Sequence, residues 1–421
     1  MTRHGALVWE DQQIRHEDSN KGDRVVARHP VVAEVADVVH SLYPPGGAAD
    51  WDAIGLVCGD PQARVERILF AVDPVAAVAE EARANDAAML LTHHPLFLRG
   101  VNSVAATTPK GRLVHQLISN GIALQVAHTN ADHADPGVSD ALGAALGLDG
   151  LGPLAAQPAP AMEKVIVFVP EGDTETVFHA MAAAGAGSLG DYTECSWRSS
   201  GIGTFRPGAA ANPAIGSAGA LEQVDEHRLE MVLPRSARGP VLAAMRAAHP
   251  YEEVAFDLLE LLSEPGTTGT GRIGELPAAE SLSTFSRRVA AALPGTPGGV
   301  RVAGDPDRRI RRVAVCGGSG DSLLGRVNET DADVFVTADL RHHPASEHVE
   351  GDGPALIDVA HWSSEWPWLP VAARQVAAAL EQLGTTVETH VSTTPTDPWQ
   401  QHVAMTEPST GLAPMQEGRT R

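Results

Sequence analysis

The sequence predicts an α/β protein in which a smaller module is inserted into one discontinuous domain. Two observations indicate this. Short apolar strands alternate with helices in both outer parts of the chain, and stretches rich in Pro, Ala or Gly near residues 153–160 and 263–269 set a middle part off from them. Alternation at this spacing is typical of a mainly parallel sheet. Joining the two outer parts into one domain needs a shared site or a family resemblance.

The predicted elements follow from apolar spacing and from the residues that stop it. A helix beginning near Val31 ends where Pro44 and Pro45 interrupt the pattern. The other predictions are strands at 54–59, 67–72, 87–91, 121–127, 164–169, 312–315, 334–337 and 355–359, and helices at 74–85, 110–120, 139–148, 285–293 and 371–383. The predicted organisation is a disordered tail at 1–23, an outer half at 24–158, the insert at 161–263, a second outer half at 265–393 and a disordered tail at 394–421.

Composition and charge disfavour several classes of partner. The formal net charge is −22, which argues against a nucleic-acid backbone or an anionic membrane as the main partner. The three cysteines, Cys58, Cys195 and Cys316, are widely spaced and fit reduced thiols better than a disulfide framework. The polar N-terminus lacks the apolar core of a signal peptide, and no run approaches a membrane span. We therefore expect a cytoplasmic protein that does not enter membranes.

The first candidate site is the histidine pair His93-His94, which directly follows an apolar strand. Strand ends are where α/β proteins usually keep their chemistry. Because neighbouring residues of a strand point to opposite faces, the pair is not expected to chelate one ion together, so two ligands here imply two ions. Two hydrogen-bonded histidines at a strand end explain this stretch equally well when it is taken alone.

A second polar cluster, residues 128–135, follows the strand at 121–127. Imidazole and carboxylate groups together suit divalent ions, and we expect Asp132 to be the ligand from this cluster. His128 is expected to lie in the same pocket, where it is a candidate for proton transfer. Helix capping accounts for some of the other polar residues, because a helix is predicted to begin at Ser139.

The second outer half contains two further strand-end clusters. His361 and Glu365 follow the strand at 355–359 and are four residues apart, so a helix would place them on one face. Such pairs are common on solvated helices, but this pair follows a buried strand. His343, after the strand at 334–337, is a second candidate for proton transfer, with an ordinary polar loop as the alternative. The glycine-rich stretch 316–320 lacks phosphate-loop spacing and is expected to form a tight turn.

Several longer motifs resemble one known family, the NIF-three-like proteins, also called GTP cyclohydrolase I type 2 homologues. The matching segments are LLTHHPL, HTNADHADPGVSDALGAALGL, GTGRIGEL, VAVCGGSGDSLL, ADVFVTADLRHHPA and LIDVAHWSSE, which cover both outer halves. Further segments of the insert, including HPYEEVAFDLLEL, resemble the long form of the family, in which the insert is a PII-like module with a ferredoxin-like fold.

This resemblance implies a dinuclear metal centre and an assembly. Two divalent ions per subunit would be bound by His93, His94, Asp132, His361 and Glu365. Zinc, iron, manganese and nickel all suit such ligands, so the metal's identity is open. The resemblance also implies a toroidal homohexamer and explains why the two outer halves belong to one domain.

Two functions follow as hypotheses. The first is a metal-dependent hydrolase that acts on GTP or a related nucleotide or heterocycle, with water attacking C8 of guanine and formate leaving. The second is a non-catalytic metal-binding or regulatory assembly that uses the PII-like insert as a sensor. Nucleic-acid binding is a weaker third hypothesis, kept open only by the basic stripe at 308–312.

Overall fold

The computed structural model describes residues 28–158, 161–262 and 266–404. The predicted tail at 1–23 and residues 405–421 lie outside these ranges.

The first outer half contains α1 Val32–Leu42, β1 Gly55–Cys58, β2 Arg67–Ala71, α2 Ala76–Ala84, β3 Met89–Thr92, α3 Pro109–Ser119, β4 Ala123–Val126, α4 Thr129–His133, α5 Val138–Ala145 and β5 Asp149–Ala156. The insert contains β6 Met162–Pro170, α6 Thr174–Ala183, β7 Ser196–Phe205, β8 Glu222–Pro234, α7 Arg238–Ala248 and β9 Phe256–Glu260. The second outer half contains β10 Gly269–Ser281, α8 Leu282–Ala292, β11 Arg301–Ala303, β12 Arg309–Ser319, α9 Leu324–Asn328, β13 Val334–Ala338, α10 His342–Glu350, β14 Ala355–Val359, α11 His361–Glu365, α12 Trp368–Gln382 and β15 Glu388–Val391.

The two outer halves form one domain because each contributes a strand to the other's sheet. The first sheet has the order β1-β4-β3-β2-β15, so its last strand comes from the far end of the second half. The second sheet has the order β11-β14-β13-β12-β10-β5, so its last strand comes from the first half. The discontinuous α/β domain predicted from the sequence is confirmed.

The strand directions are only partly parallel. In the first sheet β4, β3, β2 and β15 run parallel and β1 runs antiparallel. In the second sheet only β12, β13 and β14 are parallel, while β5, β10 and β11 pair antiparallel. Near-continuous apolar runs are typical of parallel strands buried on both faces, so the sequence predicted the central strands better than the antiparallel edges.

Local sequence explains where the elements near the site begin and end. Every residue of β3, the sequence MLLT, is buried. Helix α3 begins earlier than predicted because Thr108 caps it, accepting a hydrogen bond from the Gly111 N–H at 3.0 Å, and Pro109 occupies the first turn. The long helix α12 packs Trp368 and Leu369 into a core shared with α1 and the first sheet.

The insert is an α+β module with its own core. Its strand–helix–strand–strand–helix–strand sequence forms one antiparallel sheet in the order β7-β8-β6-β9, the ferredoxin-like arrangement. Apolar residues from its sheet and helices, including Val165, Phe178, Leu229 and Met245, pack together beneath that sheet.

The parallel strands place polar residues of both sheets at neighbouring edges. The carboxyl ends of β3 and β4 lie side by side in the first sheet, and those of β13 and β14 lie side by side in the second. Helix α11 directly follows β14. In the described ranges, none of the helices has the length and apolar composition that crossing a membrane requires.

Candidate metal centre

Histidines from both halves of the domain meet at this edge. The rings of His93 and His94 are 5.0 Å apart between centroids, and the ring of His94 is 5.0 Å from that of His361. His128 completes the group, with its ring 5.1 Å from that of His93. The structure therefore brings together strand-end clusters that the sequence could only describe one by one.

Each of these four imidazoles is held through its Nδ1 atom by an oxygen acceptor. His93 donates to the carbonyl oxygen of Ala127 at 3.0 Å. The other three donate to carboxylates: His94 to Asp73 at 2.7 Å, His128 to Asp52 at 2.8 Å and His361 to Asp339 at 2.6 Å. A histidine that donates through Nδ1 keeps Nε2 free to bind a metal ion, and such partners are typical around metal ligands.

Glu365 lies between three of the free Nε2 atoms. Its carboxylate oxygens are 2.9 Å from Nε2 of His361, 3.2 Å from Nε2 of His94 and 3.4 Å from Nε2 of His93. Nε2 of His93 and Oε2 of Glu365 are buried and have no hydrogen-bond partner among the described residues. Buried polar atoms are rarely left unpaired, so these two atoms are candidates for binding a cation.

Asp132 and His128 lie on the other side of His93. The nearer carboxylate oxygen of Asp132, at the end of α4, is 3.6 Å from Nε2 of His93. The ligand atoms of His93, His94 and His128 lie close enough together to share an ion, as do those of His94, His361 and Glu365. The two groups overlap at His94, and residues of this kind suit borderline divalent ions.

The charges of the site make it favourable for a cation. Burial alone would lower the histidine pKa values, but Glu365 and Asp73 raise the pKa of His94 to about 10. Glu365 and Asp339 likewise overcome burial and raise the pKa of His361 to about 11. Burial alone would raise the pKa of Glu365, but the surrounding histidines hold it well below its usual value. Protons and metal ions therefore compete for the same imidazole nitrogens.

His128 and Asp132 respond to the same environment in other ways. Burial, together with the neighbouring His93, lowers the pKa of His128 even though Asp52 pairs with it. Burial also raises the pKa of Asp132, with Glu365 adding to the effect and His93 opposing it. The environment therefore favours the neutral imidazole of His128 and the protonated imidazoles of His94 and His361.

A glycine forms part of the wall behind the ligands. Gly318 lies in β12 with φ of +67°, and a Cβ atom there would be 2.4 Å from Oε1 of Glu365 and 3.1 Å from Nε2 of His361. Only glycine combines this backbone conformation with so close an approach. The predicted tight turn at 316–320 is wrong for most of this stretch, because β12 continues to Ser319 and the glycine makes room for the site.

The structure also changes the interpretation of the histidine pair. Side chains alternate between the two faces only within a strand, and β3 ends at Thr92, before His93 and His94. Beyond the strand the side chains need not alternate, so both rings reach one group of possible ligands. Their geometry therefore does not by itself require two ions.

Sequence reasoning missed the carboxylates that hold the histidines. Asp73 and Asp339 each follow a parallel strand closely, and this position was the available signal. Asp339 has φ of +58°, a conformation that aspartate tolerates better than most residues and that occurs at functional sites. Asp52 lies in the loop before β1 and offered no sequence signal of this kind.

His343 is the predicted site residue that the structure does not bring into this group. It is exposed near the start of α10, and its ring lies 5.1 Å from that of His342. None of the hydrogen bonds or ion pairs described above involves it. Its role in proton transfer stays a prediction.

A discontinuous α/β domain with four inward-facing imidazoles and two carboxylates defines a class of candidate metal-binding protein. The chain belongs to the Duf34/NIF3 (NGG1p interacting factor 3) family, whose model matches residues 30–398. The family resemblance stated from the sequence motifs is confirmed.

Individual relatives cover most of the chain. A Mycobacterium bovis protein described as a GTP cyclohydrolase 1 type 2 homolog is 52% identical over 369 residues, which are 87% of this chain and 96% of the relative. The crystal structure of a Bacillus cereus protein related to NIF3 is 35% identical, has a TM-score of 0.67 and covers 88% of this chain and 99% of its own. A Staphylococcus aureus structure is 26% identical, with a TM-score of 0.75 and coverages of 89% and 99%.

Proposed function

We propose that this protein binds two divalent metal ions and uses them to hydrolyse GTP or a related nucleotide or heterocycle. The observation that carries the metal assignment is the convergence of free Nε2 atoms on Glu365, where Nε2 of His93 and Oε2 of Glu365 have no hydrogen-bond partner among the described residues. The ligands in this proposal are His93, His94, Asp132, His361 and Glu365.

The arrangement of these residues suggests how two ions would be shared. Glu365 contacts imidazoles on both sides and would therefore help to hold both ions. His93 with Asp132 would hold one ion, and His94 with His361 the other. His128 is within reach of the first group and is the additional ligand or proton acceptor there.

Bound divalent ions would supply Lewis acidity, polarising the bond to be cleaved and making water nucleophilic near neutral pH. The chain's own contribution is orientation. Asp73 and Asp339 hold His94 and His361 through Nδ1, so these rings cannot turn away from the site. Asp52 holds His128 in the same way, with Nε2 free to accept a proton.

The nucleotide part of the proposal is supported by the names of relatives, which are described as GTP cyclohydrolase 1 type 2 homologs. For GTP the reaction would use two waters: the first would attack C8 of guanine and open the imidazole ring to a formamide, and the second would hydrolyse that formamide to the free amine and formate. His128 and His343 are the residues we propose for proton transfer in that reaction.

A non-catalytic regulatory assembly is the second candidate. It is supported by the hydrophobic core of the insert, because a module with its own core is able to bind a ligand or partner separately from the surrounding domain. We propose a PII-like role for this module. The two candidates share the metal centre and differ in turnover: a regulatory protein would bind metal and release no formate.

The decisive experiment compares the metal-reconstituted protein with Asp132→Ala and with the control Asp149→Ala, which alters an exposed aspartate of β5. We expect the wild type and the control to release formate from GTP and Asp132→Ala to lose both formate release and bound metal. Equal formate from wild type and Asp132→Ala, or none from either, would end the cyclohydrolase proposal. Unchanged metal content in Asp132→Ala would count against Asp132 as a ligand.

We also propose the toroidal homohexamer as the working assembly. Support comes from large apolar side chains exposed on the insert, including Tyr192, Trp197 and Ile202. Light scattering of the purified protein should give about six times the 44.1 kDa chain mass. A monomer at working concentration would contradict this.

A further inference from the structure

A large cavity opens directly beside the candidate metal centre. Its volume is about 790 Å³, and its lining includes His94 and His361. One wall comes from the ends of β13 and β14, a second from the loop at 297–301, and a third from the segment Thr396–His402 after β15. The metal ligands occupy only one end, so most of this cavity is not explained by metal binding.

Hydrogen bonds hold the third wall in place, and one of them reaches a residue that orients a histidine of the metal centre. Ser392 and Thr394 donate to the carboxylate of Glu81 at 2.6 and 2.7 Å. Thr396 donates to Asp73, the residue that orients His94. The specific contacts thus continue beyond the predicted boundary at residue 393, and they fix the position of the chain just before the cavity.

Trp399 is the unexplained side chain of this wall. It lines the cavity and is 71% exposed, so it takes no part in the cores of the domain. Aromatic residues are only 4% of this chain, yet two tryptophans line this one cavity, since the mostly buried Trp362 also lines it. An exposed indole beside a ligand cavity is a natural stacking surface for a planar ring.

The charges of the cavity indicate which part of a substrate it suits. Four aspartates line it, Asp73, Asp339, Asp358 and Asp397, against a single arginine. That arginine, Arg301, already pairs with Asp358. Oδ2 of Asp397 has no hydrogen-bond partner among the described residues. His94 and His361 already pair with Asp73 and Asp339, so with Arg301 also paired these walls offer little to a phosphate group, whereas Asp397 can accept a hydrogen bond from a ring N–H group.

We infer that this cavity binds the planar heterocyclic end of the substrate, stacked on Trp399, and that any phosphate chain lies outside it. The ligand class is therefore a heteroaromatic ring with amino or ring N–H donors, such as a purine. Its description as a substrate rests on the proposed function, but its binding does not depend on turnover.

The test is titration calorimetry on the metal-loaded full-length chain with two probes, guanosine and inorganic tripolyphosphate. Four proteins are compared: the wild type, Trp399→Ala, Trp399→Phe and the control Leu383→Ala, which truncates an apolar side chain that is 63% exposed just after α12 and away from the cavity. We expect Trp399→Ala to weaken guanosine binding about tenfold, the size of one base–aromatic stack. Trp399→Phe should keep most of the affinity, and Leu383→Ala should match the wild type. Tripolyphosphate binding should not change in any variant.

Three results would overturn the inference: no guanosine binding by the wild type, an unchanged guanosine affinity in Trp399→Ala, or an equal weakening of tripolyphosphate binding. Light scattering of the same variants separates a ligand wall from a contact between copies, because a changed mass with unchanged guanosine affinity would make Trp399 an interface residue.

Formate release is measured separately. If guanosine binding depends on Trp399 but the protein releases no formate, the cavity assignment is upheld and the hydrolase proposal ends. If the protein releases formate but guanosine binding does not depend on Trp399, the hydrolase proposal is upheld and the cavity assignment ends.

Discussion

Glu163 of the insert and Glu365 of the candidate metal centre are both almost completely buried, but they have opposite kinds of neighbours. Glu163 in the insert has a side chain that is 2% exposed, and Glu365 has one that is 3% exposed. Glu163 accepts hydrogen bonds from Arg235 at 3.0 Å and Arg238 at 2.8 Å. Glu365 faces three imidazoles and no guanidinium or ammonium group.

The difference separates a structural ion pair from a candidate metal site. A buried carboxylate needs a positive partner, because an unpaired buried charge is costly. Arginine supplies that charge permanently. The hydrogen bond from Arg238, and to a smaller extent the one from Arg235, lowers the pKa of Glu163 despite its burial. Histidine can give up its proton and bind a metal ion with the same nitrogen. Around Glu365 the chain therefore supplies groups that could hold a metal ion, whereas around Glu163 it supplies the positive charge itself.

Exchanging each glutamate for glutamine should give the largest contrast. Glu365→Gln removes the charge that all three imidazoles share, so metal affinity should fall by more than the roughly 10- to 100-fold typical of losing an outer partner. Glu163→Gln should leave metal content unchanged and lower only the thermal stability. Metal analysis after dialysis and thermal melts of both variants make the comparison. Full metal content in Glu365→Gln would show that the Glu365 carboxylate is not needed for metal binding.

Glycine substitutions sharpen the contrast without touching a ligand. In Gly318→Ala the added methyl group would meet Glu365 and His361, so bound metal should be lost. Gly190→Ala in the insert is the matched control, because Gly190 also has a positive φ, +55°, but has open space around it. Both variants should lose stability on the order of 1 kcal/mol from backbone strain. Metal content measured on the two proteins distinguishes crowding from strain, and equal retention in both would show that Gly318 does not limit the site.

The smallest expected effect concerns the carboxylates that orient the histidines. Asp339→Asn keeps the shape of the side chain but weakens the acceptor for Nδ1 of His361, so metal affinity should fall roughly 10- to 100-fold. Asp321→Asn is the control, since Asp321 pairs with Arg341 rather than with a histidine. Competition with a chelator of known affinity measures both. If the two variants bound metal equally well, Asp339 would have no orienting role.

The parts of the site that the sequence predicted are those carried by local pattern. His93, His94, Asp132 and the pair His361 and Glu365 each follow a recognisable apolar strand or occur at helical spacing, so their residue types and strand-end positions were visible without a structure. The elements that the sequence predicted are present with shifted bounds, such as β12, which runs from Arg309 to Ser319 where a strand at 312–315 was predicted, but the strands β5, β10 and β15 were not predicted.

The partners of those residues could not be predicted in this way. His94 and His361 are 267 residues apart in sequence, and their Nε2 atoms lie 3.2 Å from each other. Nothing in the spacing of Asp52 or Asp73 pairs them with His128 or His94. Contacts of this kind depend on how two sheets pack, which a periodic pattern along one strand does not encode.

By itself, then, the sequence determined an interrupted α/β domain, an acidic chain and a set of ligand-type residues at strand ends, because apolar periodicity and residue chemistry are local properties. Only the tertiary structure decided that β5 and β15 cross between the halves and that both histidines of the pair face one site beyond the end of β3. It also decided that Gly318 clears the space in which Glu365 meets three imidazoles. These features arise where separate elements are packed against each other, and packing is a property of the whole chain.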